Sequence, residues 1–217
     1  MLATCSEVPL QQALTDQPQD PLPDLFNSDG FARDALNTLL AHPQLAQWLV
    51  SEHLIARFVA FVDALPNRKI GMNLWPLKPA SGQFFAQSDG SAVVIGAANS
   101  ARYDAYVQAF TGMDTQAAVN LYTRIYPLLQ QAYRELGYSD RYFNDRMIAV
   151  IDHLLAATEP TPPIVVVLTD KGYAYADPAL EAASSGEKFM MRIGAANEKA
   201  VKAKLRELHT ALTKQQP

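Results

Sequence analysis

The stretch from Leu45 to Leu65 constrains this chain more than any other. Leu45, Trp48, Leu49, Ile55, Phe58, Val59 and Val62 recur at helical spacing and spread over a wide arc. Side chains three and four positions apart share a helix face, so a stripe this broad needs apolar neighbours on several sides. The spacing predicts one central helix, opened by Pro43 in its first turn and ended by Pro66-Asn67. Apolar residues at 49% and charged residues at 18% supply material for a core around it.

Other segments carry the same period. Phe31, Ala35, Leu36, Leu39 and Leu40 share a face behind Ser28-Asp29, either of which suits a helix cap. A helix is expected from Ser100 to Phe110. Asp114 can cap the next, which carries Ala118, Leu121, Tyr122, Ile125, Leu129, Ala132 and Leu136. Pro127 lies inside it and removes one backbone donor, so a kink or break is expected there. Gly137 suits a left-handed end. Asp140 is placed to cap a helix with Phe143, Met147, Ile151 and Leu154 facing inward. Short helices are expected from Pro178 and after Ser184. A last one, from about Ala196, has the stripe Val201, Leu205, Leu208 and Leu212.

Two hairpins interrupt the helices. Gln83–Gln87 and Ser91–Ile95 flank Ser88-Asp89-Gly90, and Ile164–Leu168 and Tyr173–Tyr175 flank Asp170-Lys171-Gly172. The fold class is therefore mainly α (α+β), a helical domain of about seven helices with two small β-hairpins. Residues 1–27 hold prolines at 9, 18, 21 and 23 and show no sustained period, which reads as a flexible acidic tail or linker. Residues 28–217 read as a single helical domain.

Charge and motifs narrow the chemistry. A net charge of −4 argues against a nucleic-acid partner, since phosphate binding needs a basic face. The single cysteine, Cys5, allows no internal disulfide and no thiolate metal cluster. No apolar run is long enough to span a membrane, and no basic and apolar leader opens the sequence. Leu2-Ala3-Thr4-Cys5 has the outline of a lipoprotein processing site, with nothing apolar before it. His42, His53, His153 and His209 never pair at ligand spacing, so no metal site is expected. His53 reads as a core or boundary histidine and the other three as surface residues.

No glycine-rich phosphate loop and no Gly-x-Ser-x-Gly elbow occurs, and no cofactor is expected. Ser185 to Lys188 matches Ser-x-x-Lys, but Ser184 to Glu187 is better read as a capping box. Asp177 and Glu181 read as a helix cap and a first-turn acid rather than a catalytic pair. Tyr122, Tyr126, Tyr133 and Tyr138 can line a groove, though a core boundary with hydroxyls in water is the plainer reading. The basic stretch Lys188, Arg192, Lys199, Lys202, Lys204, Arg206 and Lys214 reads as a solvated face.

Several strings, taken in order, resemble a known family. They are Ser28-Asp29-Gly30-Phe31, Trp48-Leu49, Leu54 to Asp63, Ala101-Arg102-Tyr103-Asp104, and Leu121-Tyr122 with Pro127-Leu128. Ala132 to Tyr138, Ala176 to Glu181, and Arg192-Ile193-Gly194 with Asn197 follow. Together they resemble a bacterial family catalogued as domain of unknown function 3014, over residues 28 to 212. This chain departs at Ala56, where a second basic residue is common, and at Ser185 to Met190, where the pattern is less polar. The resemblance implies an envelope protein: a membrane segment, a Pro-rich linker, then this domain. It supplies no catalytic residue.

The expected function is a non-enzymatic binding or protein-interaction domain of the bacterial cell envelope, with an envelope protein or small ligand as partner. It would sit in the periplasm if an anchor precedes it, and in the cytoplasm otherwise. Arg57, Arg102, Tyr103, Asp104, Tyr122 and Arg192 are the candidate binding residues, if they share a groove. The alternatives are a hydrolase with carboxylates from different helices, built around a deep pocket, and a structural assembly subunit.

Overall fold

A computed structural model describes residues 21–42 and 44–214. The expectations for the first 20 residues, including Cys5, and for Pro43 lie outside them. The helices are α1 (Asp29–Leu40), α2 (Leu45–Trp48), α3 (Leu54–Ala64), α4 (Ala98–Ala101), α5 (Asp104–Gly112), α6 (Thr115–Glu135), α7 (Phe143–Leu155), α8 (Pro178–Ala182), α9 (Ser185–Ile193) and α10 (Ala195–Lys214). Seven of them reach seven residues or more among the described residues. Two antiparallel hairpins, β1 (Ala86–Ser88) with β2 (Val93–Ile95) and β3 (Val166–Thr169) with β4 (Gly172–Tyr175), complete a mainly α fold. Among the described residues no helix is long and apolar enough to cross a membrane.

Helix α3 is the buried centre, as its stripe requires. Leu54, Ile55, Val59 and Val62 pack with Leu128, Leu129, Ala132 and Tyr133 of α6 and with Phe143 and Val150 of α7. Leu25 is buried in this core and Leu22 packs against it, so packing starts before Ser28. A second core joins Val107, Val119, Ile151, Met190, Ile193, Val201, Leu205 and Leu212. Helix α7 serves both, with Met147 and Leu154 touching each. A third, small core lies under the hairpins, where Val166, Tyr175 and Met191 meet Phe84, Ile95 and Leu180.

The central helix is not continuous. Between α2 and α3 the chain leaves the helix for extended pairing: Leu49, still buried, bridges to Leu77, and the Val50 amide donates to the Pro76 carbonyl. The restart is capped from elsewhere in the chain. Both Asp29 carboxylate oxygens, in the first turn of α1, accept from the amides of His53 and Leu54 at 2.8 Å. His53 takes a left-handed φ of 58° and is exposed, not a core histidine. Two more starts differ. The expected helix from Ser100 is split at Arg102-Tyr103 into α4 and α5. Asp140 does not cap α7; the buried Gln130 side chain of α6 accepts from the Phe143 amide at 2.9 Å instead.

Helix α6 runs through Pro127 without a break. The proline faces solvent, while Tyr126, Leu128 and Leu129 around it are buried, so packing holds the turn. The expected Asp114 cap forms on Ala117, and Gly137 takes a φ of 105°. The expected capping box forms in full between Ser184 and Glu187.

The solvated-face reading of the basic C-terminal stretch is corrected at two positions. Lys202 is 3% exposed; its Nζ donates to the Ala157 carbonyl at 2.7 Å and to the Glu159 carboxylate at 2.8 Å, and forms an ion pair with Glu198 at 3.0 Å. Lys204 is buried too, on Met113 O, Thr115 Oγ1 and Glu207. The tyrosines are likewise deeper than expected. Tyr126 and Tyr133 are buried, and Tyr126 donates to Gln130 Oε1 at 3.0 Å.

Candidate functional site

Where α4 and α5 meet α9 and α10, one side chain organises the junction. Asn99 is wholly buried. Its Oδ1 accepts from the Phe85 amide and from Arg102 Nη1, and its Nδ2 donates to the Arg192 carbonyl at 3.1 Å. A buried amide must be satisfied on both sides, so it ties three segments together. Asn197 does the same nearby, donating to Asp104 Oδ1 at 2.8 Å and to the Ile193 carbonyl at 3.0 Å. Between α9 and α10, Gly194 takes a φ of 86°, and a Cβ there would lie 2.8 Å from that of Ser100. Only glycine allows both the turn and the approach.

Four of the six candidate residues gather here. Arg102 donates to the carbonyls of Ala80, Ser81 and Gly82 at 2.9 to 3.2 Å, fastening the irregular loop before β1. Tyr103 packs edge-on against Phe189, Asp104 receives Asn197, and Arg192 offers its carbonyl to Asn99. Burial pushes the Tyr175 phenol above its ordinary value, with Arg192 acting in the opposite direction. The other two lie elsewhere. Arg57, on α3, donates to the carbonyls of Glu52 and Asn73. Tyr122, on α6, donates to Asn144 Oδ1 at 3.2 Å, and burial pushes its phenol well above the usual range. Arg57 and Tyr122 thus take no part in the hydrogen bonds of the Asn99 junction.

One constellation has the outline of nucleophile chemistry. His153 Nε2 lies 2.8 Å from Ser184 Oγ and 3.8 Å from Glu187 Oε2. Both approach the same ring nitrogen, whereas a triad orients the base through the other one. Ser184 Oγ also accepts the Glu187 amide. The Ser185 and Gly186 amides, which would face an oxyanion, donate to the carbonyls of Asn67 and Leu65. The group is a helix cap. Asp177 likewise caps α8 through the Ala179 amide. Glu181 accepts from the Tyr175 amide at 3.0 Å and from Lys188 Nζ at 2.8 Å. Burial opposes its ionisation, but these partners hold its carboxyl below the usual value. Among the described residues no group of His, Cys, Asp and Glu could hold a metal ion.

Among the described residues, two open clefts and the exposed apolar side chains of the hairpins remain. A cleft of about 470 Å³ is lined by Arg68, Lys69, Glu181 and Lys188. A second, of about 310 Å³, holds Asp140 and Asp145 beside Arg141 and Arg146. Both acids are exposed to water rather than enclosed in the apolar surroundings an acid catalyst needs. The hairpins carry the apolar surface. Val94 bridges to Val165, laying the two hairpins side by side. Phe85 (45% exposed), Val93, Val165, Val167 (46%), Leu168 (73%) and Tyr173 all face outward from this region. Strand alternation places Val165 and Val167 on one face, opposite the core residue Val166.

A model of the family described as "Protein of unknown function (DUF3014)" matches residues 54–209. The chain belongs to this family. No curated protein and no solved structure matches it. The family match opens at the first residue of α3, later than the strings at Ser28 and Trp48. It takes in the Asn99 junction, both hairpins and both clefts. Several family strings now have physical roles. Ala101 to Asp104 is the split between α4 and α5, and Arg192-Ile193-Gly194 with Asn197 is the turn docked on it. Sequence reasoning did not single out Asn99, Gln130 or the apolar hairpin surface. Asn99 carried one signal, an amide among the small residues Gly96 to Ala101.

Proposed function

We propose that this chain is a non-enzymatic interaction domain that docks a partner protein on its paired hairpins, and that it works in the bacterial cell envelope. The supporting observation is the exposure of large apolar side chains on both faces of the hairpins, Val165 and Val167 on one face of β3 and the cross-strand pair Leu168 and Tyr173 on the other, with Val93 and Phe85 on the neighbouring hairpin. Soluble proteins rarely leave large apolar side chains clustered in water unless something covers them. The envelope assignment rests on the family resemblance and on the Pro-rich segment ahead of the helical body.

The test is in-cell cross-linking of the full chain against a variant carrying Val167→Ser and Leu168→Ser. These positions are exposed, so the fold and its thermal midpoint should stay unchanged. A partner captured by the parent and lost by the variant is the expected result. Capture that ignores the substitutions would overturn the reading. A stable oligomer of the parent alone, abolished by the same substitutions, would make the chain an assembly subunit instead.

A further inference from the structure

The cleft between the end of α3 and helices α8 and α9 is cationic in a chain whose net charge is −4. Arg68 and Lys69 stand on the loop after α3, and Lys188 reaches in from α9. Lys188 is already neutralised by Glu181 at 2.8 Å. Arg68 and Lys69 are both exposed, and neither side chain has a hydrogen bond or ion pair among the described residues. Among the described residues the cleft is thus left with two positive charges that no carboxylate pairs.

The loop that carries them is pinned. The Ser185 amide donates to the Asn67 carbonyl at 2.7 Å and the Gly186 amide to the Leu65 carbonyl at 2.9 Å. Gly186 allows this approach, since a Cβ there would lie 2.7 Å from a Leu154 methyl and 3.2 Å from the Leu65 carbonyl oxygen. The cations are therefore presented from a fixed backbone, which limits the ordering cost of binding.

From this we infer that the Arg68–Lys69–Lys188 cleft binds a small molecule carrying a phosphoryl group. A phosphomonoester brings about −1.5 to −2 charges at neutral pH, matching the two free cations. Arg68 can hold two of its oxygens with parallel N–H donors, and Lys69 adds a point charge. A volume of about 470 Å³ suits a ligand of metabolite size. Glu181 is the restraining group: its carboxylate engages Lys188 and repels an anion. The site is separate from the hairpin surface residues and stands or falls without the docking proposal.

The test is calorimetric titration of the full chain with glycerol phosphate at low ionic strength. Saturable single-site binding is expected, weakened at least tenfold in Arg68→Ala/Lys69→Ala and unchanged in the exposed control Lys78→Ala. Glu181→Gln keeps an oxygen for the Tyr175 amide but frees Lys188, and should tighten binding several-fold. Citrate at the same ionic strength should bind more weakly than glycerol phosphate. No saturable binding would overturn the inference. So would equal losses in Lys78→Ala, equal affinity for citrate, or weaker binding in a folded Glu181→Gln protein. Vesicles of phosphatidate extend the test. Binding to vesicles without binding to glycerol phosphate would mean surface attraction to lipid, and would also overturn it.

Discussion

At the scale of single residues, the decisive groups are buried amides. Asn99 and Gln130 each hold three partners, one within a helical turn and two from other segments, and each is almost wholly out of water. A group left without its partner in such a place costs roughly 1–3 kcal/mol. Asn99→Ala should therefore lower stability by about 2 kcal/mol or more, read as the urea midpoint with an unchanged slope. Asn99→Asp is the sharper test. Its first oxygen can still accept from Arg102, but its second would face the Arg192 carbonyl with no proton to donate. Its deficit should shrink relative to the parent as pH falls and the carboxyl gains a proton. A deficit independent of pH would show that the amide donor is not what matters.

Among the elements, α10 shows how a charged stretch becomes interior. Burial opposes the Lys202 charge, yet its bonds to Glu159 and Glu198 carry the amine above its ordinary value. Removing one partner of a buried pair strands the other, at roughly 3–5 kcal/mol. Lys202→Met should cost about that much, since Glu198 is 2% exposed. Lys202→Met with Glu198→Leu should recover most of the loss, because both desolvation costs then vanish. Additive losses in that double variant, measured by thermal unfolding, would contradict this account. The same logic covers helix starts. Asp114, Asp177 and Ser184 cap their own helices and were legible as such. Asp29 and Gln130 cap helices far away in sequence, and no local pattern announces that.

For the whole molecule, the shifted groups define how stability depends on pH. The carboxyls of Glu181 and Glu187 are held below their ordinary 4.5, in each case against burial, by Lys188 and the Tyr175 amide and by the Ser184 cap. Their contribution is present above 4.5 and lost as pH falls through the depressed values. Glu198 acts in the opposite sense, since burial raises its pKa and protonation then favours the folded state. At the alkaline end, burial lifts Tyr126 from 10.0 to about 12. The unfolded chain loses that proton first, so stability falls as pH rises above 10.0. Urea midpoints should thus form a plateau between these limits. Phenolate absorbance should show Tyr122 and Tyr126 ionising last among the nine tyrosines, or only on unfolding.

Local chemistry was enough to determine the mainly α class, the two hairpins and most helix ends, because periodicity, proline, glycine and capping residues act over a few positions; the family was legible through the order of its strings along the chain. Leu45 to Leu65 marks the limit. Its apolar residues correctly announced a buried centre, yet the helix breaks at Leu49 because Leu77 and Pro76 offer backbone partners from a distant loop. The candidate residues divide the same way. Arg102, Tyr103, Asp104 and Arg192 do meet, but what joins them is Asn99 and Asn197, and their polar groups hold the chain to itself. Which lysines go under, which apolar strands stay bare and which cations line a cleft all depend on groups distant in sequence. Only the tertiary structure brings those groups within range, so only it could decide them.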